Sequence, residues 1–311
     1  MVTGWGDKMK KNKFFSSDRI VTIVNTLILL LICVIMLYPM YFTVIASVSE
    51  PVDVATGQVT FWPKGFTLDG YKEVFKQDQI WVGYRNTIIY TVLGTLLSLV
   101  MTIPAAYALS KKKMRFRDGF SIFFAFTMFF SGGLLPTYLL VRNLNLVNKW
   151  YTIIILGAFS VSNMVIARTY FQINIPDVLY EASELDGANQ LQQFFRIALP
   201  LAKPIIAVIA LYYAIGRWND YFTAAIYLSE ADYYPLQLVL RDILINNQLS
   251  IGALDTSGMS AEQLLYITRK AYMAEAMKYS IIFIASLPML IIYPFIQKYF
   301  VKGALVGSVK G

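Results

Sequence analysis

The sequence predicts an all-α polytopic membrane protein, and three observations carry that prediction. Of its 311 residues, 57% are hydrophobic and only 15% are charged, whereas about a quarter of an average soluble domain is charged. The apolar residues come in long runs, and the basic residues sit beside those runs instead of forming a face of their own. A helix needs about 20 apolar residues to cross a hydrocarbon core about 30 Å thick. Six runs meet that measure, at 20–47, 83–109, 119–141, 151–172, 202–228 and 277–297.

The chain opens on a basic stretch, 1–19, with Lys8, Lys10, Lys11, Lys13 and Arg19, followed by an uncharged run from 20 to 48. That run exceeds the roughly 7–15 residues of a signal-peptide core, so it predicts an uncleaved first span. Its Cys33 is the single cysteine, which excludes an intramolecular disulfide and reads as a small side chain at lipid depth. After the second span comes KKKMRFR, with Lys111, Lys112, Lys113, Arg115 and Arg117. Basic connections face the cytoplasm. Alternation then places the N-terminus, the stretch 174–200 and the tail 298–311 on that side, adding Arg168, Arg196, Lys203, Lys298, Lys302 and Lys310.

The two long outer segments, 48–82 and 229–276, carry most of the acidic residues, among them Glu50, Asp53, Asp69, Glu73, Asp78, Glu230, Asp232, Asp242, Asp255, Glu262 and Glu275. Within the second, 234–248 and 261–279 are amphipathic. They fit helices lying at the interface or covering the outer mouth. The organisation expected is a first span, an outer segment, a core of five spans over 83–297 and a short tail. Localisation follows as the plasma membrane, with both termini cytoplasmic.

Absences bound the chemistry. The chain has no histidine, which removes histidine acid–base catalysis, Ser-His-Asp triads and nearly all zinc-hydrolase patterns. It has no GxxxxGK[ST] segment and so no P-loop for ATP. The clustering of its basic residues speaks for orientation in a bilayer and against nucleic acid. No catalytic residue, metal ligand or cofactor is assigned to this chain.

Between two apolar runs lies YEASELDGANQLQQFFRIALP, residues 180–200. From Pro176 the pattern is helical, with Val178, Leu179, Ala182 and Leu185 on one face and Asp177, Glu181 and Glu184 on the other. A proline suits the first turn, and early carboxylates suit the positive end of the helix dipole. Gly187 ends this helix in a left-handed cap. A second short helix then displays Leu191, Phe194, Phe195 and Ala198, Pro200 stops it, and Pro204 begins the next span. The product is a helix–turn–helix elbow. Short helices gain most of their stability from packing, so the elbow needs a membrane surface or a partner protein. Its four carboxylates, Asp177, Glu181, Glu184 and Asp186, are poorly placed beside an anionic leaflet.

Glu181-Ala182-Ser183, three residues, Gly187, nine residues and Ile197-x-Leu199-Pro200 resemble the EAA-x3-G-x9-I-x-LP motif of bacterial ABC importer permeases, with Ser for the third Ala. The resemblance runs along most of the chain through FTLDGYKEVF (66–75), the Asn-Thr pair at 86–87, FFSGGLLPTYLLV (129–141), WNDYF (218–222) and the tail 298–311. It is nearest the MalG-like permease subunits of carbohydrate ABC importers, of the LplC/YtcP type. That resemblance implies a type I ABC importer permease fold, a second homologous permease as partner, and two ATPase subunits that bind ATP and Mg. It also implies an extracellular solute-binding protein or lipoprotein that delivers an oligosaccharide. The elbow becomes the coupling helix. Asp177, Tyr180, Glu181, Ala182, Ser183, Glu184, Asp186, Gly187, Ala188, Ile197, Leu199 and Pro200 are then its contact and hinge residues, and Lys302–Gly311 gains a contact role.

A sugar path needs aromatic and polar side chains at membrane depth. Arg217, Trp218, Asn219, Asp220 and Tyr221 supply them. Arg217 and Asp220, spaced i, i+3, suit either a wall of an inner cavity or a salt bridge near the outer interface with Trp218 and Tyr221 as belt residues. Gly132, Gly133 and Pro136 mark a break in the third run, which suits a pore-lining bend or the outer end of a helix. Two other classes compete. An ion-coupled secondary transporter calls for inverted repeats and mid-span carboxylates, and a membrane enzyme calls for a cluster of acids or a nucleophile at one face. The sequence shows no repeat and no mid-span carboxylate, and its only acid cluster lies in the elbow, where the spacing already has a mechanical explanation.

Overall fold

The computed structural model describes residues 11–252 and 261–308, and all the regular structure among them is helical. Helix α1 (Lys11–Ser47) starts ahead of the predicted first span and continues through it. Residues 19–41 are exposed in the isolated chain, as an apolar helix that meets lipid would be. Two short helices, α2 (Pro51–Ala55) and α3 (Asp69–Phe75), occupy the outer segment, and α4 (Asp78–Ser110) forms the second span without interruption.

The third run is not one helix. It divides into α5 (Arg117–Phe129) and α6 (Leu134–Asn143), which meet at 111°. Gly133 adopts a left-handed φ of 83°, and Pro136 falls in the first turn of α6, where its missing N–H costs nothing. The fourth run divides as well, into α7 (Thr152–Ile155) and α8 (Val161–Asn174). Ser160 caps α8 by accepting the Asn163 N–H.

The elbow comprises α9 (Asp177–Leu185), α10 (Gln190–Gln193), a π turn (Phe194–Ala198) and α11 (Leu199–Leu201). Pro200 does not stop the second elbow helix, which runs on to Leu201. A proline removes one N–H and clashes with the carbonyl four residues earlier. The π turn just ahead of it widens the backbone there, with Leu199 N–H bonded to Phe194 O, and so accommodates the ring. The stop comes at Ala202. Pro204 lies in the first turn of α12 (Lys203–Trp218), which leaves the elbow at 79°.

The fifth run breaks at 219–221 before α13 (Phe222–Tyr227). A 3₁₀ turn (Ala231–Tyr233) leads to α14 (Leu236–Gly252), which takes in most of the amphipathic piece 234–248. The piece 261–279 is no separate interfacial helix. It opens α15 (Ala261–Ser308), which also contains the sixth run and the tail as far as Ser308. Residues 309–311 of the predicted contact tail lie outside the described residues. Among the described residues three helices are long and apolar enough to cross a membrane alone, and two bent pairs raise the number to five. Hydropathy registers apolar length. It does not register breaks whose free backbone groups are satisfied by the protein itself.

The described chain forms two compact units, residues 11–72 with 261–283 and residues 73–252 with 284–308. In the first, Ile45 and Ala46 at the end of α1 pack on Val54 and Val59. Tyr38 and Tyr41 donate to the carbonyls of Thr60 and Phe61, holding that segment beside α1. In the second, α4 is the central post against which α8, α12 and α14 pack. At its first turns, Asn86 Nδ2 donates to Asp232 O and Tyr234 O, and Thr87 Oγ1 accepts Leu236 N–H at 2.7 Å. Near its other end, Thr102 and Tyr213 share a buried hydrogen bond of 2.7 Å.

Candidate functional site

The elbow is seated on the far end of α4 through rings. Tyr107, in the last turns of α4, lies 5.7 Å from Phe171 of α8, 6.1 Å from Tyr180 of α9 and 5.0 Å from Phe194 of the π turn, centroid to centroid. These residues belong to one buried cluster with Ala198, Ile205 and Ile209, and Ile197 and Leu199 pack against it. Burying one such aromatic side chain is worth about 1.5–3 kcal/mol. Two ion pairs add to the seat, Lys112–Asp177 at 3.2 Å and Lys113–Glu184 at 3.5 Å. Both are largely solvent-exposed, so each contributes at most about 1 kcal/mol and the rings dominate.

The inward face of α9 therefore carries Tyr180 and Ser183, with Asp177 and Glu184 turned to the lysines. The apolar stripe points away. Val178, Leu179 and Ala182 are exposed, and Leu185 is 90% exposed. The second arm divides the same way: Phe194 and Ala198 are buried, whereas Leu191 and Phe195 are exposed.

Gly187 holds the angle between the arms. Its φ is +80°, its N–H donates to Glu184 O at 3.1 Å, and Ala188 N–H reaches Ser183 O at 2.9 Å. This is a Schellman cap with glycine at its left-handed position. Asp186 is the preceding C-cap residue, and Ala188 leads to Asn189, which forms a reciprocal capping box with Gln192. Glu181 is exposed and, with Asp177, Tyr180 and Glu184, lines a cavity of about 630 Å³ between the elbow and Lys111–Lys113. Pro200 is exposed.

At the opposite end of α4 the nominated path residues separate. The Arg217–Asp220 ion pair does not form. Buried Arg217 donates instead to the carbonyls of Ile153, Ile154 (3.1 Å) and Leu156 (2.7 Å), at the C-terminal end of α7. Guanidinium is suited to that place because its fork of donors meets carbonyls that have no helical partner. Asp220 accepts Thr223 N–H at 3.0 Å and caps α13. Trp218 is buried and donates to Ala285 O at 3.0 Å, so it is not a belt residue. Asn219 donates back to Ile215 O, and exposed Tyr221 lies under the Arg241 guanidinium, 5.7 Å from its ring centre.

A second cavity, of about 430 Å³, does lie at this end. It is lined by Gly133, Leu134 and Thr137 beside the α5–α6 bend, by Leu156 and Gly157, and by Phe222, Thr223, Ile226 and Tyr227 of α13. Gly133 is thus the nominated residue that reaches it, while Gly132 and Pro136 belong to the bend.

The family described as binding-protein-dependent transport system inner membrane component matches residues 80–306. The chain belongs to that family. This permease is 37% identical over 297 residues to protein LplC of Bacillus subtilis, covering 95% of the chain and 96% of LplC. It is 36% identical over 283 residues to the polygalacturonan/rhamnogalacturonan transport system permease protein YtcP of the same organism, covering 91% of the chain and 96% of YtcP. A crystal structure of a bacterial ABC transporter involved in the import of the acidic polysaccharide alginate contains a similar chain. It superimposes with a TM-score of 0.79 at 34% identity, over 96% of this chain and all of that one.

Reading the permease from sequence missed three features. Lys111–Lys113 enter only as topology markers, although Lys112 pairs with Asp177 and Lys113 with Glu184. The Asn189-x-x-Gln192 capping box and the Asp220-x-x-Thr223 cap were both legible as helix starts. Gly94 is the third. A Cβ there would lie 3.0 Å from Arg217 Nε and 3.3 Å from its Cδ, and Arg217 is fixed at its far end. Gly94→Val should therefore lower the stability of the permease by about 1–3 kcal/mol, as overpacking does. A fall in the thermal unfolding midpoint of the purified protein checks this, and an unchanged midpoint refutes it.

Proposed function

We propose that this chain is the membrane-spanning subunit of an ATP-driven importer that takes an oligosaccharide from an extracellular solute-binding protein or lipoprotein. It pairs with a second, homologous permease, and two ABC ATPase subunits bind ATP and Mg and hydrolyse the nucleotide. The chain itself is non-catalytic. It passes the bacterial plasma membrane six times, by three long helices, the two bent pairs and the divided run of α7 and α8, with both termini cytoplasmic. YtcP and the alginate transporter support a saccharide substrate, and because both act on acidic polysaccharides, acidic oligosaccharides are the first to screen.

One observation carries the reading. The elbow is fixed to the helix bundle by its acidic and aromatic side, which leaves Val178, Leu185, Leu191 and Phe195 outward as an apolar surface set in polar surroundings. Such a surface is a docking face for an amphipathic groove. An ATPase seated there pushes on α9, and the Tyr107–Tyr180–Phe194 contacts pass the push to α4, α8 and α12. The cavity beside the α5–α6 bend is the stretch of sugar path to which this chain contributes.

Leu185→Asp tests the docking face directly. Removing that apolar contact and burying a carboxylate should weaken ATPase association by about tenfold or more. Co-purification of the ATPase with the tagged permease measures it, with membrane insertion of the variant as the control. Undiminished co-purification would remove the elbow as the docking element.

A further inference from the structure

In the first compact unit, the segment after α2 folds back along α1. Helix α1 is exposed on every side from Arg19 to Tyr41, and burial within the protein begins only at Phe42. A hydrocarbon core about 30 Å thick takes about 20 residues at 1.5 Å each. Counted from Ile20, just past the charge of Arg19, the core ends near Pro39, so Tyr38 and Tyr41 stand at its far boundary. The rest of α1 rises beyond that boundary to Ser47. Gln58 N–H donates to Asp53 O at 2.9 Å, and Val59 packs with Ile45 and Ala46. One residue later the chain has come down to the boundary. Tyr38 and Tyr41 donate to Thr60 O and Phe61 O, and the Tyr38 ring lies 5.7 Å from that of Phe61. Lys64 has already climbed back, with its N–H on Ser49 Oγ at 3.2 Å and its carbonyl accepting Glu50 N–H at 2.9 Å. Residues 61–63 are therefore the tip of a loop. From Ser47 to Tyr41, at about 1.5 Å per residue, it descends about 9 Å along α1.

The tip is apolar and uncovered. Phe61 is 63% exposed and Trp62 77%. We infer that these two rings lie in the interfacial layer of the bilayer, on the membrane face where the segment 48–82 emerges, and that phospholipid covers them. Depth is the first reason, since the loop is tied to α1 at the level where hydrocarbon gives way to headgroups. The second is continuity. The surface of α1 below the tip is apolar and bare all round, so a ring laid against it at that level meets the same lipid. Chemistry is the third. Tryptophan and tyrosine prefer this layer because they pair an apolar body with a polar edge. Exposed Lys64, two residues past Trp62, can reach the phosphate level on its long stem. The carboxylates keep away from the tip. Glu50 and Asp53 belong to the start of α2 and Asp69 to the start of α3, and Thr67 N–H on Val48 O at 3.0 Å ties that part of the segment to the outer end of α1. A loop anchored at this depth resists sliding of α1 along the membrane normal, which a smooth apolar helix longer than the core does not.

Photochemical capture tests the occupant. Trp62 is replaced by p-benzoylphenylalanine, an aromatic residue that inserts into neighbouring C–H bonds on irradiation. Because Trp62 is mostly exposed, the exchange leaves the packing of the unit intact. The intact transporter is reconstituted in nanodiscs of phosphatidylglycerol, irradiated and digested, and adducts on the peptide are quantified by mass spectrometry. The same replacement at exposed Gln58, above the tip, is the reference. The expected result is a phospholipid adduct at position 62, several-fold more abundant than at position 58 and more abundant than any protein cross-link from position 62. A predominant cross-link to another protein chain would make the tip a protein interface and overturn the inference. A lipid adduct no more abundant than at position 58 would put the tip in water and overturn it equally. The adduct is read without transport or ATP, so its failure is distinct from a failure of ATPase docking, which Leu185→Asp reports.

Discussion

Replacing Gly187 with proline should abolish the proposed ATP-linked uptake while the protein still inserts and accumulates in the membrane. Proline locks φ near −65° and has no N–H, whereas Gly187 sits at +80° and donates to Glu184 O. The Schellman cap cannot form, so the two arms of the elbow lose their angle. Sterics play no part, because nothing lies within 4 Å of a Cβ built at this position. The graded series is therefore diagnostic. Gly187→Ala should cost about 1–2 kcal/mol for a left-handed alanine and leave measurable uptake, and Gly187→Asn, which tolerates that conformation better, should leave more. Glu181→Lys is a second probe of the elbow. It places a cation beside Lys111–Lys113, lining the same cavity, and should also uncouple. Transport assayed in vesicles at matched protein level checks the order, and normal uptake in Gly187→Pro would show that the bend is not part of the drive.

Arg217→Met should unfold the permease, not merely slow it. Arg217 is buried and gives its donors to the carbonyls of Ile153, Ile154 and Leu156. Methionine fills similar space and leaves all those carbonyls without that partner, at about 1–3 kcal/mol for each group that finds no substitute. The sum is on the order of 3 kcal/mol or more, a large share of a typical domain's net stability. Arg217→Lys restores the charge but not the planar fork, and should fall between the two. The unfolding midpoint in detergent and the yield of folded protein measure this. A variant of full stability that has lost uptake would return Arg217 to the substrate path and remove its role as a brace.

The difference between those two sites explains what the sequence could reveal. Gly187 was legible because a left-handed cap is a local requirement of the backbone, met by one residue type in one place. Pro204 was legible for the same reason, and Pro200 was misread because the five-residue π turn just ahead of it is a tertiary accommodation, not a local one. Arg217 and Asp220 looked like partners because their spacing allows it. Their actual partners are carbonyls of α7, some 60 residues earlier in the chain, and the amide of Thr223. Periodicity likewise found the apolar stripe of α9 but could not say which face turns inward. Tyr180 decided that, through rings on α4 and on the π turn that come together only in the folded bundle. The broken spans belong to the same class, since the donors and acceptors that tolerate each break come from distant segments.

The outward set of Leu185, Leu191 and Phe195 has a meaning for the cell as well as for the machine. On the function proposed above, a copy of this subunit inserted before its ATPase arrives would display to the cytosol the kind of sticky surface that chaperones and membrane proteases inspect. Assembly as proposed would hide it, so surplus copies would stay marked by exposed apolar surface and matched copies would not.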